Sequence, residues 1–241
     1  MSWKRDARRI AHRLGIDIVR YPLHDAIARL VRLLEYYRID LVVDVGANDG
    51  GFATSIRDLG FSGRIISFEP VSSVFKALSH RATADSMWQT VQCAVGERES
   101  EVVINVSANN SLSSSVLPML DEHIKAAPNS RYIGVEKVRQ SSLDLLMPEL
   151  GVANASRIFL KVDVQGYERN VLDGASALFS NGIIAGMQLE LSLTQLYENA
   201  MTYREVINYA ETLGMNLVGL DPVFCDPQSG RLLQADAVFF A

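Results

Sequence analysis

Residues 41–51 read Leu-Val-Val-Asp-Val-Gly-Ala-Asn-Asp-Gly-Gly, and they constrain the fold more than any other stretch. An apolar run ends in an acid, a turn of small residues follows, and a helix-like segment opens at Phe52. This is a buried strand feeding a tight turn into a helix, the unit that places a nucleotide-like ligand at a strand's carboxyl end. Gly46 and Gly50 remove Cβ atoms where backbone must come close to a ligand. A dinucleotide fingerprint requires Gly-x-Gly-x-x-Gly. The chain instead has Asp44-x-Gly46-x-Asn48-x-Gly50, with a further acid at Asp49. A carboxylate inside the turn suits a cationic ligand better than a pyrophosphate.

The remaining elements are expected to alternate. Residues 3–14 and 24–37 read as helices; in the second, Ile27, Leu30, Val31 and Leu34 recur at helical spacing. Strands are expected at 41–45, 64–68, 90–95, 158–164 and 183–191, with helices at 52–59, 72–82, 143–150, 168–179 and 203–213. Short strands are expected at 101–106 and 133–138, a helix within 116–130, and a polar Ser/Asn loop at 107–115. Strands at 215–220 and 235–240, joined by a turn-rich stretch, close the chain without an intervening helix and should pair antiparallel. Alternation of strands and helices specifies a mostly parallel sheet. No interdomain linker is visible. The chain divides into a helical extension at 1–40 and one α/β domain at 41–241.

Composition narrows the function. The net charge of −5 gives no bulk electrostatic case for a nucleic-acid partner. Residues 1–40 run the other way, with nine Lys/Arg against five Asp/Glu. Lys4, Arg5, Arg8, Arg9 and Arg13 form either a solvated helix face or a contact for an anionic membrane or partner surface. Two cysteines, Cys93 and Cys225, fit a reduced, cytoplasmic setting with no disulfide framework. Nothing in the sequence reaches the ~18 apolar residues of a membrane span.

The chemistry-bearing residues fall at strand ends. Glu69, followed by Pro70, ends the second core strand, where an acid can accept hydrogen bonds from ribose hydroxyls. Cys93 and Ala94 end the third, at the place for an adenine edge. Alternation along 161–165 puts Lys161, Asp163 and Gln165 on one side of the fourth. Burying Lys161 and Asp163 unpaired would cost several kcal/mol, so they pair with each other or with a ligand. Glu190 ends the fifth strand among Met187, Leu189 and Leu191, where substrate hydroxyls, a metal or a basic partner would each account for it. Among His12, His24, His80 and His123, only His123 follows the polar loop, and its titration range suits a general base. No His/Cys spacing suggests zinc, and no Gly-x-Ser-x-Gly elbow occurs.

Taken together, these pieces resemble the FkbM family of S-adenosylmethionine (SAM)-dependent methyltransferases. The matching segments run in order: 43–50, Phe68-Glu-Pro70, Asn110-Ser-Leu-Ser-Ser-Ser115, Ser142-Leu-Asp144 and Leu160-Lys-Val-Asp-Val-Gln-Gly-Tyr-Glu168. Gln188-Leu-Glu-Leu191, Leu196-Tyr-Glu198, Leu213-Gly214 and Gln234-Ala-Asp-Ala-Val-Phe239 follow. The family pattern often has Glu where this chain has Gln165. The resemblance implies a Rossmann-like class I methyltransferase fold: seven strands, mostly parallel, the last antiparallel, with helices on both faces. It implies methyl transfer from SAM to an acceptor hydroxyl, often on a sugar in polysaccharide, glycolipid or antibiotic biosynthesis. The cofactor is then expected at Asp44, Gly46, Asn48, Asp49, Gly50, Glu69, Pro70, Cys93, Ala94, Ser111 and Asp163. Asp163, Glu190 and His123 are the candidates for activating the acceptor, with Mg²⁺ between the two carboxylates left open, as is a homo-oligomer. Two rival readings stand beside it. An NAD(P)-dependent oxidoreductase shares Glu69 but calls for the absent glycine fingerprint and a Tyr-x-x-x-Lys pair. A non-catalytic SAM-binding protein would use the crevice carboxylates only for structure.

Overall fold

The computed structural model describes residue 11 and residues 25–152 and 156–241. The expected helix at 3–14, apart from Ala11, lies outside these residues, as do its basic side chains, His12 and His24. The first helix, α1 (Ala26–Tyr36), starts where Asp25 caps it, the carboxylate accepting the amide of Ala28 at 2.8 Å. Then come β1 (Leu41–Val45), α2 (Gly51–Asp58), β2 (Arg64–Phe68), α3 (Ser72–Ala82), β3 (Trp88–Val91), β4 (Ala94–Val95) and β5 (Ser100–Ser107). Next are α4 (Asp121–Ala126), β6 (Tyr132–Ser141), α5 (Leu143–Glu149), β7 (Ile158–Val162), α6 (Glu168–Asp173) and α7 (Ser176–Ser180). Last come β8 (Ile184–Ser192), α8 (Tyr203–Thr212), β9 (Asn216–Cys225) and β10 (Leu232–Phe240).

Seven strands form one sheet in the order β3-β2-β1-β7-β8-β10-β9. Only β10 runs against the rest, pairing antiparallel with both β8 and β9. The closing hairpin therefore forms as the sequence requires, and it folds back so that its second strand inserts beside β8. Burial explains the choice. In β10, Leu233, Ala235, Ala237, Val238, Phe239 and Phe240 are buried, as an inner strand demands, whereas most of β9 is exposed at the edge.

Every residue of β1 and β7 is buried, so each strand feeds two cores by alternation. Val42, Phe159 and Phe240 pack on one face with Leu30 and Leu34 of α1 and Ile56 of α2. Helix α1 thus shares a core with the sheet. Val43, Leu160, Met187 and Phe239 pack on the other with Met147, Val171 and Val206. Each such side chain contributes about 1.5–3 kcal/mol of burial. Truncating Leu160 to Ala would remove about 2–5 kcal/mol.

Three expectations change. The third strand ends early, at Val91, and the chain leaves the sheet at Cys93. Ala94–Val95 then pairs with Gln140 and Ser141 in a second sheet, order β4-β6-β5, that the two short polar strands build. The helix expected over 168–179 is broken into α6 and α7 around Gly174 and Ala175. A Cβ at Gly174 would lie 2.1 Å from the carbonyl oxygen of Gly96, so the break lets two backbones touch. The fourth core strand stops at Val162, two residues early, which frees Asp163 to turn into the crevice.

Candidate functional site

The site lies at the carboxyl ends of β1, β2, β7 and β8, roofed by β4, β5 and the loop 108–116. Here a cleft opens, lined by Gly46, Asn48, Glu69, Ala94, Ser111 and Asp163. Its floor begins where β1 ends. Gly46 has φ +78° and a Cβ there would sit 1.9 Å from the carbonyl oxygen of Asp163. Only glycine lets the β1 turn come this close to the end of β7. The amides of Gly46 and Ala47 both donate to the carbonyl of Phe68 at 3.0 Å, tying the turn to β2.

Glu69 faces this turn. Its carboxylate accepts the Asn48 amide at 2.9 Å and the Val71 amide at 2.8 Å. Burial pushes its carboxyl up to about 7, the two amides working against that shift and the charges of Asp44 and Asp163 adding to it. Pro70, Cys93 and Ala94 line the next part of the cleft. Cys93 is buried, its thiol donating to the Ala94 carbonyl at 3.1 Å. Burial pushes that thiol up. Ser111 lines the roof.

Three of the expected cofactor residues do other work. Gly50 takes φ +87° as the N-cap of α2, and a Cβ would meet Trp88 and Leu78 at 2.8 and 2.9 Å, so it serves packing rather than the cleft. Asp49 points outward, half exposed, and pairs with Arg81 at 2.8 Å. Asp44 is fully buried beneath the cleft. There the Lys161 ammonium lies 3.3 Å from Asp44 and 3.3 Å from Asp163, so one cation joins two carboxylates. Desolvation opposes the charge on Lys161, but Asp163 and Asp44 outweigh it and hold its pKa above the usual lysine value. The expected pairing of Lys161 with Asp163 is therefore present, with Asp44 added.

The polar loop of the roof is held by polar contacts. The Ser113 amide donates to Ser107 Oγ at 3.1 Å, and Asn109 Nδ2 donates to Ser113 Oγ at 2.9 Å. Asn48 Nδ2 donates to the Asn110 carbonyl at 3.0 Å, joining the β1 turn to the roof. Ser115 Oγ donates to the Gln165 carbonyl at 2.7 Å. A serine-rich loop can close its own hydrogen bonds.

Asp163 lines the cleft, and Glu190 lies behind it. The connection is Gln165: its side-chain nitrogen donates to Asp163 Oδ1 at 2.8 Å and to Glu190 Oε2 at 3.2 Å. Gln234 Nε2 donates to the same Glu190 oxygen. Burial raises the Glu190 carboxyl well above its ordinary value, and the charges of Asp163, Glu168 and Asp236 push the same way. The space between the two carboxylates, where a bridging Mg²⁺ was left open, holds an amide nitrogen. Among the described residues no group of three His, Cys, Asp or Glu side chains is arranged to hold a metal ion.

His123 does not reach the cleft. It is buried against Tyr197 and Phe224, with ring centroids 5.3 and 5.5 Å away, and Nε2 lies 3.3 Å from Ser113 Oγ. Burial pushes the imidazole down to about 4, so it is neutral near pH 7. It supports the roof from behind. Sequence reasoning singled out neither Tyr197 nor Gln234 as a functional residue. Tyr197 is fully buried, with its hydroxyl 2.8 Å from Gln165 Oε1. No spacing rule joins residues 165, 197 and 234; only their being pieces of one resemblance could have flagged them.

Residues 44–217 match the family model described as the Methyltransferase FkbM domain. No curated protein matches the chain. Among solved structures, the chain is similar to Aeropyrum pernix fibrillarin with natively bound S-adenosyl-L-methionine, at 14% identity and a TM-score of 0.46, over 89% of this chain and 73% of that one. It is also similar to magnesium protoporphyrin IX methyltransferase from Synechocystis, at 9% identity and a TM-score of 0.47, over 96% and 80% of the two chains. A third is the Burkholderia thailandensis 1,6-didemethyltoxoflavin-N1-methyltransferase, at 10% identity and a TM-score of 0.46, over 90% and 79%.

Proposed function

We propose, from the premise that the chain belongs to the FkbM methyltransferase family, that this SAM-dependent methyltransferase acts on a hydroxyl oxygen of a sugar-type acceptor. The observation that carries the proposal is the pair of carboxylates at the carboxyl ends of β7 and β8, Asp163 facing the cleft and Glu190 linked to it through one amide. A sugar hydroxyl is a weak nucleophile and needs a group to take its proton.

The residues present fit SAM. Gly46 brings the β1 turn against the Asp163 carbonyl to close the cleft floor, Glu69 offers a carboxylate to ribose hydroxyls, and Cys93 and Ala94 leave a small-residue slot. When bound, SAM supplies an electrophilic methyl group on a cationic sulfur. The chain's own residues do the rest. Lys161 and Gln165 hold one oxygen each of Asp163, fixing the plane of its carboxylate. The acceptor oxygen is held against Asp163, and the Asp163–Glu190 pair takes the hydroxyl proton. The roof formed by Ser111 and Leu112 excludes water from that side.

The test is product analysis with methyl-labelled SAM against sugar nucleotides and glycans, alongside an RNA and an amine acceptor. Label is expected as an ether on a sugar carbon. Label only on RNA or on nitrogen would overturn the acceptor class. Asp163→Asn and Glu190→Gln should each lower turnover by about 10²-fold with SAM affinity near wild type. Near-normal specific activity in a strongly destabilised protein would make both carboxylates structural.

A further inference from the structure

We propose that Gln165 is the positioning residue that sets Asp163 and Glu190 relative to each other, its amide occupying the place a divalent cation would need. The proposal rests on the reading of those carboxylates given above, and it adds a residue and a consequence that the reading does not contain.

Gln165 directly follows the Asp163-Val164 pair in a left-handed backbone conformation, φ +56°, which a side chain-bearing residue rarely adopts. Gly166 follows at φ +99° in a tight seat, a Cβ there meeting Tyr197 at 3.0 Å and Ala200 at 3.1 Å. The turn is held by Ser115 Oγ on the Gln165 carbonyl at 2.7 Å and by the Gly166 amide on Glu168 at 3.0 Å. This bend returns the Gln165 side chain to the crevice, where it is 8% exposed.

Every polar atom of that side chain is used. The nitrogen has two N–H bonds, and two carboxylate oxygens lie within reach, at 2.8 and 3.2 Å. The oxygen accepts from the Tyr197 hydroxyl at 2.8 Å. The flipped form would set the amide oxygen against the acid oxygens of Asp163 and Glu190, so their placement selects this orientation. The amide therefore reads both acids at once, and Tyr197, also 3.2 Å from the Ser113 carbonyl, ties the arrangement to the roof.

An oxygen at the Nε2 position would remove both donors and bring a third carboxylate among Asp163 and Glu190. Three oxygen ligands of one sign at such distances call for a hard divalent cation. In this chain the amide meets that need without one.

The experiment uses the full chain with Gln165→Met and Gln165→Glu. Melting temperature and methyl transfer to the acceptor found above are measured in EDTA and in MgCl2. For the Met variant kcat should fall about 10²-fold, as expected when a group is misplaced by an ångström, with KM for SAM little changed and no response to Mg²⁺. The Glu variant should be equally slow in EDTA, recover turnover in MgCl2, and gain a Mg²⁺-dependent rise in melting temperature. Wild type should show neither response. The proposal is overturned if both variants keep wild-type kcat in EDTA, or if wild type itself loses turnover in EDTA and regains it with Mg²⁺. If the Glu variant does not fold, the Met variant and the wild-type pair of conditions decide. If carboxylate loss leaves turnover intact, the catalytic reading fails. A Mg²⁺-dependent melting shift in the Glu variant alone would still support the placement of Gln165, and its absence would overturn it.

Discussion

The two halves of the cleft are held together in different ways. On the β1–β2 side, backbone groups do the holding: Gly46, Ala47, Asn48 and Val71 all donate main-chain amides, to Phe68 or to Glu69. On the β7–β8 side, side chains hold side chains: Lys161 to Asp44 and Asp163, Gln165 to Asp163 and Glu190, Gln234 to Glu190. A main-chain site tolerates substitution of most side chains and fails at the glycine. A side-chain site fails at any member, because each buried polar group left unpaired keeps its desolvation cost.

The sharpest way to break the comparison is Gly46→Ala. Its Cβ would overlap the Asp163 carbonyl, and φ +78° adds roughly 1–2 kcal/mol of strain. We expect SAM binding to fall by more than about 10²-fold. Calorimetry measures it, with a thermal melt on the same sample to show that the protein is folded. Retained affinity would mean that the two halves do not meet at Gly46.

Glu69→Ala should have the next largest effect. Under the proposed role of Glu69, the change costs hydrogen bonds to the ribose hydroxyls worth roughly 1.5–3 kcal/mol, or about 10- to 150-fold in SAM affinity. Turnover at saturating SAM should change far less. A loss in turnover alone would place Glu69 with the other half of the cleft.

A pH series comes next. Burial raises the Glu69 carboxyl from its ordinary value to about 7, so the protonated form accumulates as pH falls below that point. The ionised form is the one that accepts hydroxyl donors. SAM affinity should therefore rise with pH and level off above about 7, losing about fivefold from pH 7 to pH 6. The Glu69→Gln variant should show a flat profile over this range, and a wild-type profile that is flat as well would contradict the raised carboxyl. The same raised value means that the folded state holds a proton the unfolded state has released. The stability it confers is present at low pH and is lost as pH rises through about 7.

The smallest effect belongs to Asp49→Ala. Its exposed pair with Arg81 is of the kind that contributes about 0.2–1 kcal/mol. SAM affinity should stay within a few-fold of wild type by calorimetry. A large loss would return Asp49 to the cofactor half.

How much was legible follows from these same bonds. The strand–turn–helix at 41–51 was readable because a turn needs particular residues at particular positions: Gly46 at φ +78° and Asn48 at φ +48° are what such a backbone admits. Glu69 was readable because it directly follows β2, the next topological step after the motif. Alternation also named Lys161, Asp163 and Gln165, but β7 stops at Val162 and it is the turn after it, with Gln165 at φ +56°, that brings Asp163 and Gln165 together. His123 was misjudged as a site residue because its sequence neighbourhood is polar while its spatial neighbourhood, Tyr197 and Phe224, is aromatic. The split of the third strand was illegible because its second piece pairs with Gln140 and Ser141, more than forty residues later.

The sequence by itself determined the alternating α/β order, the parallel core strands and the closing hairpin. All of these follow from local periodicity and from backbone conformations that only certain residues adopt. Tertiary structure alone decided that β10 inserts beside β8, that Asp49 and Gly50 turn away from the cleft, and that Gln165 lies between Asp163 and Glu190. Those outcomes depend on distances between residues far apart in the chain, which are fixed only once the two hydrophobic cores have packed and aligned the strand ends.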